Sequence, residues 1–330
     1  MKTITVQSQL KHYPIYIENG LLDRLNEVIP NEKHVVIIHD DHIPITIVEK
    51  VKRALPNHLE ISFPQGEASK SLETYHQIMK TLLANGMTRD VTVIALGGGV
   101  TGDLAGYVAA TYLRGVGLIQ IPTTLLAQID SSVGGKVAIN LESAKNIIGS
   151  FYPPDLVLID PQVLATLDPR QFANGMSEMI KYGMIADRAL FDQLQKQDVR
   201  SFLLDAIVQS VSIKKRFVEA DEHDRGIRMM LNFGHTIGHA LEAYYHYEKY
   251  NHGEAVAIGM VRAIANIGVA EKLKSLLLKY ELPTSDPVAN RDLLDWIIKD
   301  KKNQTGFIRL IDVAQIGQAF IRKVSIDSFQ

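Results

Sequence analysis

Through the first half of the chain, short apolar and β-branched runs alternate with stretches of helical periodicity. Residues 3–6 and 15–17 predict an opening pair of strands, 20–28 a short amphipathic helix, and 34–38 a buried strand that ends at His39, Asp40 and Asp41. Residues 45–55 predict a helix and 59–63 another strand. Across 71–85 apolar residues fall at 72, 75, 78, 79, 82 and 83, one face of a helix that Gly86 ends. Residues 91–96 are wholly apolar and run into glycines, and 118–121 and 156–159 continue the series of strands. Strands alternating with helices predict a mostly parallel sheet with helices packed on it.

Beyond about residue 160 the pattern changes. Pro161, Asp168-Pro169 and Gly175 punctuate the chain, and helical periodicity then dominates at 177–185, 191–195, 201–222, 229–245, 255–272 and 290–300. A small hairpin is predicted at 307–311 and 321–326. The pattern predicts a Rossmann-like α/β nucleotide-binding domain over 1–163 and a mainly helical, all-α C-terminal domain over 164–330. A length of 330 residues agrees with two domains, and 46% hydrophobic with 22% charged residues allows each a sizeable core.

Charge and cysteine content narrow the chemistry. A net charge of −2 argues against a general nucleic-acid or anionic-membrane surface, although a few converging Lys and Arg can still serve a small anion. Cysteine is absent, which excludes disulfides and thiolate metal sites, so any metal must use His, Asp or Glu. The opening MKTITVQSQL has no apolar leader and no apolar run is long enough to span a bilayer, so a cytoplasmic location is expected.

Three stretches carry candidate chemistry. Gly97-Gly98-Gly99-Val100-Thr101-Gly102 satisfies G-x-G-x-x-G between a predicted strand and a predicted helix, where backbone can approach a pyrophosphate and the helix N-terminus stabilises its charge. The motif does not sit in the first βα unit, and around 117–120 there is no acidic residue for an adenosine ribose. Asp40, at the end of an earlier strand, can take that role, which makes a dinucleotide domain of non-standard layout. Ser131-Ser132-Val133-Gly134-Gly135-Lys136 is not a Walker A loop, because Asp130 replaces the first glycine and Val137 follows the lysine. It still exposes Lys136 among small residues, with Lys145 and Asn146 close behind, as an anion pocket would. The window 232–254 holds His235, His239, His246 and His252. His235 and His239 stand four apart and share a helical face, so spacing alone nominates them as a metal pair, with His252-Gly253-Glu254 a loop's reach away. There is no H-E-x-x-H, so the zinc-peptidase pattern is excluded.

Taken together, LGGGVTGDLAGYVAATYLRGV (96–116), IPTTLLAQIDSSVGGKVAIN (121–140), KNIIGSFYPP (145–154), SEMIKYG (177–183), LNFGHTIGHALE (231–242) and HGEAVAIGM (252–260) resemble the 3-dehydroquinate synthases, sugar phosphate cyclases of the shikimate pathway to aromatic amino acids. The segments fall in order and span most of the chain. The resemblance implies an NAD domain followed by a helical domain with the active site in the cleft between them. It also implies one divalent metal, zinc or cobalt, on Glu178, His235 and His252. It implies conversion of 3-deoxy-D-arabino-heptulosonate 7-phosphate to 3-dehydroquinate and phosphate, by transient NAD-dependent oxidation, β-elimination, re-reduction, ring opening and aldol closure.

By the same resemblance, NAD contacts fall on Asp40, Glu67, Lys70, Gly99, Val100, Thr101, Gly102, Asp103, Thr123, Thr124, Lys136 and Lys145. Gln65 stands where the family often has Asp, a small departure. Substrate contacts fall on Asp130, Lys136, Asn146, Lys181, Lys214, Arg228, Asn232, His239 and Lys301, and Arg114 reaches the active site of the neighbouring subunit in a homodimer. Glu178 and Lys181 are three apart, so on a helix a metal ligand and a substrate cation project together. His246 keeps a plain surface role. A metal-dependent NAD polyol or glycerol dehydrogenase shares the expected architecture but has no need of so many cations around its site. A cyclase of another sugar phosphate is a closer rival, and a metal- or nucleotide-binding module without catalysis would leave those cations unexplained.

Overall fold

The computed structural model of the chain describes residues 1–29, 34–142, 144–224, 226–299 and 306–329. It divides into two compact units, Met1–Leu167 and Asp168–Gln330. Lys301 lies outside the described residues.

The first unit runs β1 (Lys2–Gln7), β2 (His12–Ile17), α1 (Leu25–Val28), β3 (Val35–Asp40), α2 (Ile45–Ala54), β4 (His58–Phe63), α3 (Leu72–Ala84), β5 (Thr92–Gly97), α4 (Gly99–Thr111), β6 (Gly117–Pro122), β7 (Lys136–Leu141), β8 (Ala144–Phe151) and β9 (Leu156–Ile159). Seven strands form one sheet in the order β1-β2-β9-β6-β5-β3-β4. β1 and β2 are antiparallel, and every other neighbouring pair is parallel. β3 and β5 are buried along almost their whole lengths, as strands covered on both faces must be. From β3 the chain crosses through α2 to the edge strand β4, whereas β5 and β6 step away on the other side. The sheet therefore has its switch point between β3 and β5, where a crevice opens at the C-terminal strand ends. Asp40 ends β3 there, and Gly97 ends β5.

α4 is not amphipathic in the ordinary sense, because it is covered on several sides. Leu104, Ala105, Val108 and Ala109 pack with Val36, Val93, Ala95 and Leu118 of the sheet and with Ile139 of β7. The hairpin β7–β8 is the element that periodicity does not announce. β8 is mostly exposed and carries little apolar alternation, so its pattern reads as loop. It is held down through glycine: a Cβ on Gly106 of α4 would stand 2.4 Å from Val137 Cγ1, and one on Gly149 would stand 2.7 Å from Val137 O.

The second unit comprises α5 (Pro169–Ala186), α6 (Arg188–Lys196), α7 (Leu203–Ala220), α8 (His235–Tyr244), α9 (His252–Ala263), α10 (Ile267–Lys279) and α11 (Leu294–Lys299), followed by the hairpin β10 (Phe307–Gln315) and β11 (Gln318–Ser325). Its N-caps follow the sequence closely. Asp168 caps α5 through Arg170 N at 2.9 Å and Gln171 N at 3.3 Å, with Pro169 in the first turn, and Asn266 caps α10 through Gly268 N at 3.0 Å. Two predicted helices are shorter than their apolar periodicity. The run 229–245 breaks where Phe233 turns extended and Gly234 takes φ 81°, so a 3₁₀ turn Ile227–Asn232 precedes α8. The run 255–272 breaks at Ile264, also extended, and Asn266 then caps α10 as a separate helix. Ile237, Leu241, Ala255, Ile258, Leu293, Ile297, Ile308 and Leu310 form a core where α8, α9, α11 and β10 meet.

Replacing Gly106 with Ala is expected to destabilise the protein by about 1–3 kcal/mol, the range for overpacking a filled core. Urea unfolding followed by far-UV circular dichroism checks this, and an unchanged midpoint would contradict the close α4–β7 packing.

Candidate metal and nucleotide sites

α5 lies buried from Phe172 to Ile185, and its Glu178 is 1% exposed. Both carboxylate oxygens of Glu178 lack a hydrogen bond among the described residues. Lys181, three residues on and 2% exposed, makes an ion pair with Glu178 Oε2. A buried carboxylate that accepts no hydrogen bond is costly, and it calls for a cation.

Two imidazoles complete the group. Gly234 bends the chain so that His235 opens α8, and His252 opens α9 behind the N-cap Asn251. His235 Nε2 lies 3.4 Å and His252 Nε2 3.8 Å from Glu178 Oε1. The ligand atoms of His235, His239 and His252 lie within 4.8 Å of one another. Glycines make this approach possible. A Cβ on Gly259 of α9 would stand 2.0 Å from Gly234 O, and one on Gly238 of α8 would stand 3.0 Å from Val256 Cα. Gly253 does the same against α5, where its N–H donates to Asn174 Oδ1 at 2.5 Å and a Cβ would stand 2.1 Å from Asn174 O.

The second nitrogens of the two rings decide what the first ones can do. His235 Nδ1 is 3.1 Å from Phe233 O, and His252 Nδ1 is 3.3 Å from Glu242 Oε2. Both neighbours are acceptors, so Nδ1 can donate to each, the tautomer that leaves Nε2 a lone pair for a cation held beside Glu178. Burial holds His235 well below the usual imidazole range, helped by the charge of Lys181 and by His252 and His239. Burial acts on His252 in the same sense, but the hydrogen bond and charge of Glu242, with Glu178, outweigh it and raise its pKa. Two imidazole nitrogens and one carboxylate oxygen, with His239 beside them, form a donor set suited to a divalent transition metal. Glu254 belongs elsewhere: it closes the capping box on Asn251 N at 2.8 Å and pairs with Arg170 at 2.7 and 2.8 Å.

Among the described residues of this unit, Lys181 at 2%, Lys214 on α7 at 6% and Arg228 at 3% exposure are cations held nearly out of solvent. Asp221 shapes the turn that carries Arg228, accepting from Gly226 N at 2.6 Å and Arg228 N at 3.1 Å, while Arg228 Nη1 donates to Glu222 O at 2.7 Å. Asn232 ends the same turn, half-buried, and His239 is exposed.

In the first unit the expected nucleotide residues gather around the switch point. Thr101 Oγ1 donates to Asp40 Oδ2 at 3.2 Å, which ties the first turn of α4 to the end of β3. Gly102 approaches β6, a Cβ there standing 3.0 Å from Gln120 Oε1, and one on Gly99 would stand 3.2 Å from Ser131 Oγ. The N-terminus of the 13-residue α4 has no side-chain cap, so its first N–H groups are the ones a phosphate would meet. Thr123 and Thr124 follow β6, where Thr124 Oγ1 accepts from Ala127 N at 3.2 Å and opens the π-turn Ala127–Ser131 that contains Asp130. Lys136 begins β7 exposed, and Lys145 lies on β8. Arg114 sits exposed on a strained turn with φ 70°, after Leu113 at φ 50°.

Lys70 Nζ, 4% exposed, donates to Asp103 Oδ2 at 2.7 Å and Asn146 Oδ1 at 2.5 Å, and lies 3.5 Å from Glu67 Oε1. Burial works to lower its pKa, but Asp103 and Glu67 outweigh that and leave it raised. Asn140, which no motif singles out, organises this group. Its Nδ2 donates to Glu67 Oε1 at 2.9 Å, its Oδ1 accepts from Asn146 N at 2.9 Å, and its N–H donates to Lys70 O at 2.7 Å. Glu242 is the corresponding omission in the second unit. The stripe 235-239-242 at i, i+4, i+7 is the signal that exposes it.

Comparison with known proteins adds the lineage of these sites. The family model described as 3-dehydroquinate synthase N-terminal matches residues 60–174, and the one described as 3-dehydroquinate synthase C-terminal matches 175–303. The chain is 43% identical over 350 residues to a 3-dehydroquinate synthase of Clostridium botulinum strain Alaska E43, covering 100% of both proteins. Among solved structures it is similar to 2-deoxy-scyllo-inosose synthase complexed with carbaglucose-6-phosphate, NAD+ and Co2+, with a TM-score of 0.89 and 26% identity over 98% of this chain and 97% of the other. A 2-epi-5-epi-valiolone synthase from Streptomyces hygroscopicus subsp. jinggangensis 5008, with NAD+ and Zn2+ bound, is 25% identical with a TM-score of 0.85, over 97% and 95% of the two chains.

Gly253→Ala is expected to lift the first turn of α9 from α5 and cost about 1–3 kcal/mol, as inserted carbon does in a filled contact. Thermal unfolding of the purified variant checks it, and a melting temperature equal to that of the wild type would refute the contact.

Proposed function

The chain belongs to the 3-dehydroquinate synthase family, and on that premise we propose that it converts 3-deoxy-D-arabino-heptulosonate 7-phosphate to 3-dehydroquinate and inorganic phosphate, a step toward aromatic amino acids. The observation that carries this reading is the full-length similarity to the Clostridium enzyme, joined to a buried carboxylate–imidazole group of the kind a catalytic metal needs. We assign NAD to the first unit, through Asp40, Glu67, Lys70, the residues 99–103, Thr123, Thr124, Lys136 and Lys145. A divalent ion, zinc or cobalt, is assigned to Glu178, His235 and His252. When bound, NAD supplies a reversible hydride acceptor and the divalent ion supplies Lewis acidity.

The chain's own residues do the rest. The substrate has a carboxylate and a phosphate, and Lys181, Lys214 and Arg228 supply buried positive charge for them, with the arginine fork suited to bidentate contact. Asp130, Lys136, Asn146 and Asn232 are the polar contacts that orient the sugar in this reading, with Lys301 as a further cation. The departing phosphate can carry off the neighbouring carbon-bound proton on its own oxygens, so no strong protein base is demanded. In this reading His239, exposed and in ring contact with His235 and His252, serves hydrogen bonding or proton handling rather than primary ligation. The same reading has a cytoplasmic homodimer in which Arg114 serves the neighbouring copy. Among the described residues no helix is long and apolar enough to cross a membrane.

The rival cyclases share the fold at 25–26% identity, well below the 43% shared with the Clostridium synthase. A polyol dehydrogenase would form NADH in proportion to product, which a synthase that regenerates its NAD does not.

Purified protein loaded with metal is expected to release phosphate from the heptulosonate phosphate with catalytic NAD and without net NADH, and a chelator should abolish the release. No phosphate from the fully loaded protein would sink the proposal. His252→Ala should lose the metal, whereas His239→Ala should keep it and lose about 10²–10⁴-fold in rate, the span of a proton-transfer group. Metal analysis of each variant beside its turnover rate separates the two roles.

A further inference from the structure

We propose that Glu242 is a positioning residue for His252, fixing which ring nitrogen faces the metal and where it points. The inference rests on Glu178, His235 and His252 as ligands and extends that group to a residue on a different helix. Glu242 lies on α8, seven residues after His235 and three after His239, so the three side chains share one face. It is 6% exposed, and its Oε2 is 3.3 Å from His252 Nδ1, while His252 Nε2 is 3.8 Å from Glu178 Oε1.

His235 and His252 need different kinds of support. The His235 side chain is 14% exposed and its Nδ1 is held by the backbone carbonyl of Phe233, a contact that no side-chain change removes. The His252 side chain is 30% exposed and stands on the first residue of its helix. Packing alone therefore leaves the ring room to rotate, and a ring flip would present the protonated nitrogen to Glu178. The Glu242 carboxylate prevents this by accepting the Nδ1 proton, which keeps the Nε2 lone pair on the Glu178 side. Its charge also makes that nitrogen a stronger donor. Because Glu242 and His235 ride on one helix, α8 supplies one ligand directly and steers the other.

The test uses the full chain with Zn2+ and with Co2+. Zn2+ dissociation constants are measured by chelator competition for the wild type, Glu242→Ala and the isosteric Glu242→Gln, beside the melting temperature of each metal-free protein and the visible spectrum of each Co2+ form. Glu242→Ala is expected to weaken Zn2+ binding about 10–100-fold, the usual consequence of losing an outer-shell partner, and to alter the Co2+ bands. Glu242→Gln, which keeps the shape and an acceptor oxygen, should show a smaller loss. A purely structural role would lower the metal-free melting temperature while both variants kept wild-type Zn2+ affinity, and that result overturns the proposal. Should Glu242→Ala fail to fold, Glu242→Gln decides alone: unchanged affinity and unchanged Co2+ bands refute the inference. A wild-type chain that binds no Zn2+ would overturn the ligand assignment itself, and this inference with it.

Discussion

Glu178 is an almost fully buried carboxylate whose oxygens accept no hydrogen bond among the described residues, and the helical unit is built around that liability. Removing an ionised carboxylate from water costs several kcal/mol even after relaxation. Lys181 offsets part of this from the same face of α5, one turn away. Two imidazoles also approach Glu178, and they reach it because three helices touch nearly backbone to backbone. Gly253 lets α9 meet α5, and Gly234, Gly238 and Gly259 let α8 meet α9. The glycines matter here for what they leave out. Each marks a place where one extra carbon would hold an imidazole away from the carboxylate.

The α/β unit meets a related problem with the charges reversed. Lys70 is a buried ammonium, and Asp103, Glu67 and Asn146 are gathered around it from three separate stretches of chain. Asn140 ties two of those stretches together, which fixes the hairpin β7–β8 beside the residues that follow β4. The parallel sheet provides the frame, since its switch point leaves the ends of β3 and β5 open. The close approach of α4 to β6 through Gly102 sets the helix terminus at that opening. In both units charged side chains are buried in company, which is how a fold keeps polar groups in place until a ligand arrives.

Much of this was legible from residue order, for identifiable reasons. Strands such as 92–97 are buried on both faces and read as unbroken apolar runs, and the glycine motif falls between a strand and a helix as its chemistry requires. The hairpin 136–151 was not legible, because its outer strand is mostly exposed and its inner one is packed by a glycine on another element. The helix predicted over 229–245 is shorter in the structure for a related reason. Its apolar periodicity continues through Gly234, while an extended Phe233 and a positive φ at Gly234, where α9 crosses, interrupt the helix. Asn140 and Glu242 close two of the family-like segments, but nothing in those segments assigns either a role. Their importance comes from partners that are distant in sequence or on another helix.

The histidines show where such reading stops. Periodicity states which residues share a face of one helix, so it joins His235 to His239. It says nothing of which helices will meet. That depends on which surfaces are smooth enough to come together, and here smoothness is set by glycines that a periodicity count treats as neutral. Once α9 is brought against α5 and α8, His252 stands 3.8 Å from Glu178 and His235 stands 3.4 Å from it, both with Nδ1 engaged by an oxygen acceptor. His239, on the same helical face, is exposed, with its ligand atom within 4.8 Å of those of His235 and His252. Which imidazoles approach Glu178 follows from which backbones can touch, and the i, i+4 spacing follows only from the pitch of α8. A histidine outside the helix that nominates the site can therefore reach the same carboxylate, where a glycine beside it clears the way and a second carboxylate engages its ring.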